Sequence, residues 1–263
     1  MFNFKSLFNG LFVFEKERFL MKKIIAVCVL LMLFLSAFAF GSDVDSVFSV
    51  VYPEGYEVQE GYKVVYLTFD DGPAKYTPAI LDILTEYDVP ATFFVVGNTP
   101  YTHYISDIAE NSHAIGLHSY SHNFGQIYSS MQAFFDDLQK IDDIVYELAG
   151  IRSKVMRFPG GSSARAGGAQ RIMGELKKEL HDRGYQYFDW NCDSSDKRGA
   201  KTASAAMRQI KLVDDNEEVV IVLMHDTQAI TVEYLPLVIE YFRGLGYEFL
   251  PLCVGSPAVH HEW

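Results

Sequence analysis

From residue 64 onward the chain alternates short apolar runs with amphipathic segments, and that alternation leaves few folds open. The runs at 64–69, 91–96, 114–117, 155–158, 185–190, 219–224 and 247–250 are short and rich in β-branched and aromatic residues, which suits strands. The segments at 77–87, 101–112, 129–149, 168–183, 201–212 and 231–244 carry apolar residues at helical spacing, with Gly150, Gly184 and Gly246 placed to cap three of them. Seven strands alternating with six helices predict an α/β fold with parallel strands, either a (β/α) barrel or an open doubly wound sheet. Both architectures put chemistry at the carboxyl ends of the strands. The reactive residues fall there: Asp70 and Asp71 after the first run, His118 and His122 after the third, and Arg157 at the end of the fourth. Asp193 and Asp196 follow the fifth, and His225 and Asp226 the sixth.

The 263 residues, 49% of them apolar, suit one globular domain with a large core. The start of the chain reads separately. Met21-Lys22-Lys23 precedes an apolar run at 24–35 and then Ser36-Ala37-Phe38-Ala39, the pattern of a secretory signal peptide cleaved after Ala39. A membrane anchor is the alternative, although 24–40 is at the short end of the roughly 17–25 residues that span a bilayer. Residues 1–20 stand in front of this signal as an upstream extension. Codons for Lys16-Glu17-Arg18 can spell a purine-rich ribosome-binding sequence, which points to translation from Met21 in a bacterium. The expected division is thus 1–20 extension, 21–39 signal peptide, 40–61 lead-in and 62–263 catalytic domain, ending in a frayed tail at 258–263 with His260 and His261 exposed.

Cys28 lies in the signal segment, so Cys192 and Cys253 remain, too few for a disulfide framework and without a C-x-x-C motif. Buried free thiols are expected. Losing residues 1–39 removes five Lys/Arg and two Asp/Glu and takes the formal charge from -12 to -15. Such an acidic exported chain is a poor nucleic-acid binder.

In G-L-H-S-Y-S-H, residues 116–122, two imidazoles four positions apart can reach one metal ion, although surface or capping histidines produce the same spacing. Two histidines and one carboxylate make an open catalytic zinc set. In T-F-D-D-G-P one aspartate could then bind the ion while the other takes a proton from water as general base; the alternative is a plain turn signal. Arg157 in R-F-P-G-G can hold a carboxylate ionised, and the glycines allow a backbone N–H to approach an oxyanion. His225 in L-M-H-D is either a capping histidine or a general acid.

Taken in order, T-F-D-D-G-P, H-S-Y-S-H, R-F-P-G-G, D-W-N-C-D-S-S-D and L-M-H-D resemble the polysaccharide deacetylases of carbohydrate esterase family four, over roughly residues 62–252. The resemblance implies a distorted (β/α) barrel, often of seven strands, and metal-dependent removal of acetyl groups from sugars. It makes Asp70 the catalytic base, held by Arg157, and Asp71, His118 and His122 the metal ligands. It also implies an oxyanion donor at the Gly160 N–H, an acetyl-pocket wall at Leu223 and a catalytic acid at His225. Asp196 matches the partner of that histidine, with Asp193 as its rival. Two positions depart from the pattern. Lys197 stands where tryptophan is common, so that the acetyl pocket is more open or Trp190 or another aromatic fills it; Gly160 stands where many members carry an aromatic.

The expected activity is N-deacetylation of N-acetylhexosamine units in a cell-envelope glycan, peptidoglycan or a chitin-like oligomer. The alternatives are O-deacetylation of an acetylated xylan and a catalytically silent glycan-binding barrel. One divalent ion is expected, zinc first, with cobalt, nickel or iron accommodated by the same ligands. The expected partner is an acetylated polysaccharide outside the cytoplasm, without nucleic acid or a stable protein partner, and with membrane attachment only if the signal segment is retained.

Overall fold

In the computed structural model, residues 48–52 and 61–262 are described; the leader and extension expected at 1–39 lie outside them. The first strands explain the architecture. β2 (Val64–Asp70), β3 (Thr92–Val96) and β8 (Val219–His225) are buried on both faces, as their unbroken apolar runs require of inner strands covered from both sides. Helices α1 (Thr77–Glu86), α2 (Tyr104–Glu110), α4 (Met131–Ala149), α6 (Ala203–Ile210) and α7 (Ala229–Gly244) carry the crossovers. Ser130 caps α4 by accepting from the Ala133 N–H at 3.1 Å, and Gly150 ends that helix at φ 70°.

With β4 (Ala114–Ser119), β5 (Val155–Met156), β6 (Gln186–Tyr187) and β7 (Cys192–Asp193), the sheet runs β6-β5-β4-β3-β2-β8-β7, all neighbours parallel. β9 (Glu248–Phe249) pairs with the start of β2 as an eighth strand. The path of seven parallel strands agrees with expectation, but its membership differs. Cys192–Asp193 forms an edge strand that no apolar run announced, and the run at 185–190 yields only two ladder residues. Its remainder leaves the sheet because the Asp189 N–H donates to Val259 O at 2.9 Å.

Period-two alternation divides the core. Val65, Leu67, Phe69, Val220, Val222 and Met224 face the helices, whereas Val64, Tyr66, Phe94, Val155, Phe188, Val219 and Ile221 meet inside the curl of the sheet. Ala258 and Val259 belong to that inner cluster, at 1% and 0% exposure. The frayed tail expected at 258–263 is therefore corrected: Ala258–His261 is strand β10, antiparallel to β1 (Phe48–Val51) in the lead-in, and His260 and His261 are half-buried. The segment has too few residues for periodicity to show, and its order comes from closing the interior. Two further expectations need correction. The helix at 168–183 is a 3-10 turn (Ala166–Arg171) followed by α5 (Met173–Asp182), and a short α3 (Phe124–Ile127) was not foreseen. Of the two thiols, Cys192 is buried but Cys253 is exposed.

Candidate active site

β2 and β8 lie in parallel register, with Asp70 opposite His225 and Thr68 opposite Leu223. Both strands alternate in phase, so these four side chains stand on the concave face at or near the strands' carboxyl ends. Asp71 then leaves the strand at φ 71°, a left-handed conformation that aspartate tolerates better than most residues, and His122 turns at φ 50°. Each such turn costs about 1–3 kcal/mol and is found where surroundings enforce it. Here the enforcement is visible. Asp137, buried on α4, accepts from the Ser119 hydroxyl (2.6 Å) and from the amides of Tyr120 (2.7 Å) and Ser121 (3.0 Å), while the His122 N–H donates to Ser119 Oγ (2.8 Å). Asp226, fully buried beneath the D-D-G-P turn, accepts from Thr77 at 2.5 Å. A Cβ at Gly72 would lie 2.0 Å from Asp226 Oδ2, so only glycine allows the turn to sit there. Burial pushes the Asp226 carboxyl up to about 7.

The strained turns bring three lone pairs together. His118 donates from Nδ1 to the Arg157 carbonyl at 2.8 Å, which leaves Nε2 unprotonated in the neutral ring. That Nε2 lies 3.3 Å from Asp71 Oδ1, and His122 Nε2 lies 3.0 Å from the same oxygen. Asp71 Oδ1 is buried and accepts no hydrogen bond from any described residue. Burial opposes ionisation of Asp71, but without a cation the two imidazoles in their protonated form more than offset it, by hydrogen bond and charge, and hold the carboxylate below its usual range. The three donor atoms lie within 4.8 Å of one another, a set that fits one divalent cation.

Asp70, 4% exposed, stands beside this set without joining it: its Oδ2 is 3.9 Å from His118 Nε2 and its Oδ1 accepts from Arg157 Nη1 at 2.8 Å. Arg157 has no exposure at all. It donates further to Thr68 Oγ1 (2.7 Å), Phe188 O (2.9 Å) and Asp189 O (3.0 Å), and its guanidinium lies 4.2 Å from the centre of the Phe94 ring. On the other side, His225 Nδ1 is 2.7 Å from Asp196 Oδ1. Asp196 Oδ2 accepts from the His225 amide (2.8 Å) and from the hydroxyls of Thr231 and Tyr234 (2.9 Å each). Burial alone would lower the imidazole's proton affinity; Asp196, aided by the charges of Asp70 and Asp71, outweighs it and raises the pKa. Asp196, not Asp193, thus reaches His225, while Asp193 Oδ1 accepts from the Ser195 amide at 2.7 Å.

Eight of the ten expected site residues, Asp70, Asp71, His118, His122, Gly160, Trp190, Leu223 and His225, line one cleft of about 210 Å³. Arg157 and Asp196 support it from behind. Phe124 joins the cleft unannounced: a Cβ on Gly160 would come within 2.9 Å of its ring, so the aromatic absent at Gly160 is supplied from α3. Among the described residues nothing accepts from the Gly160 N–H. Lys197, in the position where the family pattern has tryptophan, pairs its Nζ with Asp71 Oδ2.

The family model described as polysaccharide deacetylase matches residues 57–185. A putative polysaccharide deacetylase of Bacillus subtilis, YheN, is 32% identical over 195 residues, which cover 72% of this chain and 67% of that protein. The chain belongs to the polysaccharide deacetylase family. A peptidoglycan-N-acetylglucosamine deacetylase of Bacillus cereus is 30% identical over 193 residues, covering 71% of this chain and 68% of the relative. Among solved structures, the catalytic domain of peptidoglycan N-acetylglucosamine deacetylase from Eubacterium rectale superposes with a TM-score of 0.74 at 38% identity, over 78% of this chain and 95% of that domain. This polysaccharide deacetylase therefore shares its distorted barrel with that domain. Asp137 and Phe124 are what the motifs did not disclose. Asp137 had one signal, a carboxylate on the apolar stripe of a helix between Phe134, Leu138 and Ile141.

Proposed function

We propose that the chain hydrolyses the N-acetyl group of N-acetylhexosamine units in a cell-envelope glycan, peptidoglycan before a chitin-like oligomer, and releases acetate outside the cytoplasm. The observation that carries this reading is the convergence of Asp71, His118 and His122 on one point between an Arg157-held carboxylate and an Asp196-held imidazole. A divalent ion on those three ligands, zinc first and cobalt, nickel or iron by the same donors, would polarise the acetyl carbonyl and acidify water.

Around that ion the chain's own groups divide the work. Asp70 takes the proton of the attacking water, and Arg157 keeps it ionised and oriented. The free Gly160 N–H donates to the oxygen that becomes negative. His225, protonated with the help of Asp196, gives its Nε2 proton to the departing sugar amine. Leu223 and Trp190 enclose the acetyl methyl, and Phe124 offers an aromatic face to a sugar ring. Supporting the substrate assignment are the names of the relatives, which act on peptidoglycan N-acetylglucosamine. No helix among the described residues is long and apolar enough to cross a membrane.

The deciding experiment measures acetate from peptidoglycan, chitin oligomers and acetylated xylan, with and without chelator. Chelator-sensitive acetate from the N-acetylated glycans is expected. Release from xylan alone would establish the O-esterase, and glycan binding without acetate from any substrate would establish a silent barrel.

A further inference from the structure

Residues 197–213 contain Lys197, Arg198, Lys201, Arg208 and Lys211 and not one Asp or Glu, within a chain of net charge -12. This cationic stretch begins at the cleft. Lys197 and Arg198 line it together with Ser195, and Ser195 and Arg198 continue into a neighbouring cavity of about 370 Å³ that extends to Arg208 and Gln209 on α6. Some of the protein's guanidinium groups meet carboxylates closely: Arg152 with Asp142 and Asp143 at 2.7 Å, and Arg183 with Glu179 at 2.8 Å. The two arginines of the neighbouring cavity do not. Arg198 is 74% exposed and its nearest carboxylate, Asp193, is 4.0 Å away. Arg208 is exposed and has no ion-pair or hydrogen-bond partner among the described residues.

Two exposed forked donors around one cavity, one of them only loosely paired, suit a planar or tetrahedral oxyanion, which accepts paired N–H bonds from arginine. Phe124 and Trp190 line the same cleft. A glycan lying across the cleft thus meets both ring-stacking surface and positive charge. An acidic protein repels an anionic polymer at long range, so a local cationic rim is where such a polymer would land.

We propose that Arg198 and Arg208, with Ser195 between the cleft and the cavity, form a subsite for an anionic substituent, a carboxylate or a phosphate ester, on the sugar next to the one whose acetyl group reacts. The subsite rests on the deacetylase reading for its place along the glycan, but its binding can be measured without turnover. In peptidoglycan the carboxylates come from the lactyl ether and its peptide; in a decorated glycan, phosphate would serve.

The test compares the metal-loaded wild type with the Arg198→Gln/Arg208→Gln double variant and its Arg→Lys counterpart. Equilibrium binding is measured for peptidoglycan strands with free carboxylates, the same strands amidated, a phosphorylated N-acetylglucosamine oligomer and a neutral chitin oligomer. Wild type should bind at least one anionic glycan about tenfold tighter than its neutral counterpart, as expected for a charge-assisted pair. The Gln variant should lose that preference while binding the neutral oligomer unchanged, and the Lys variant should recover part of it. Which anionic glycan is preferred identifies the substituent. Equal affinity of wild type for charged and neutral glycans, or a preference that survives in the Gln variant, would overturn the subsite. In parallel, acetate assays should show KM for the preferred glycan rising in the Gln variant at constant kcat. Absence of acetate from every glycan would overturn the deacetylase reading while the binding comparison still decides the subsite.

Discussion

Adjacent carboxylates can do unequal work only if their surroundings differ, and Asp70 and Asp71 differ sharply. Asp70 is tied to a buried arginine, whereas Asp71 faces two imidazole lone pairs. Asp70→Asn should therefore lower kcat by about 10²–10⁴-fold, the range for loss of a general base, while the metal measured by atomic absorption stays bound. It should also lower the melting temperature, because Arg157 would remain buried without its counter-charge. Metal loss in place of activity loss alone would reverse the two roles. The His225 pair makes a different prediction. In the proposed mechanism its proton-bearing form is the acid, so kcat should fall as pH rises through the raised His225 pKa. Asp196→Asn removes the charge that raises it, and the alkaline limb of the pH–rate profile should then shift to lower pH. An unmoved limb would show that another group sets it.

Secondary-structure elements act at a distance on these residues. Helix α4 holds the H-S-Y-S-H loop chiefly through Asp137, with three hydrogen bonds to a charged acceptor, while Lys140 lies over the Tyr120 ring. Asp137→Ala should weaken metal binding in calorimetry by about tenfold or more and lower stability by about 3 kcal/mol, since buried donors lose their acceptor. Unchanged metal affinity would mean the loop holds its shape unaided. Strand β10 makes a comparable connection: it fixes Asp189, whose carbonyl and neighbouring Phe188 carbonyl receive the Arg157 guanidinium. Truncation after residue 257 should remove the buried Val259, worth about 1.5–3 kcal/mol, and depress kcat through a misplaced Arg157 more than it raises KM. A truncated protein with full kcat would exclude this route. What the sequence revealed and what it concealed divides along the same line. Strands β2, β3 and β8 and the motif residues at their ends were legible, because long apolar runs and clustered reactive groups are local signals. Strands β7 and β10 and the supports from Asp137 and Phe124 were not, because two- and four-residue ladders and a carboxylate 15 residues beyond His122 acquire meaning only when the chain closes on itself.

For the molecule as a whole, the candidate metal set joins β2 to β4 across the top of a sheet that already has two apolar clusters beneath it. The protein should consequently fold without the ion, unlike small domains whose fold is the metal site. Binding to the folded state alone adds RT ln(1 + [L]/Kd), about 2.7 kcal/mol at a free metal concentration a hundredfold above Kd. For a domain of roughly 200 residues each kcal/mol moves the melting temperature by about 2–4 °C, so chelation should lower it by roughly 5–10 °C. The far-ultraviolet circular dichroism of the chelated protein at room temperature should be unchanged, since the apolar clusters on the two faces hold the sheet and helices without the site. The ligand substitutions His118→Ala and His122→Ala should each abolish most of the chelator-induced shift, whereas His225→Ala should leave it intact, because its Nε2 stands 3.9 Å from Asp71 Oδ2 and outside the three-ligand set. A His225→Ala protein that lost the shift would place that imidazole on the ion and remove it from proton donation.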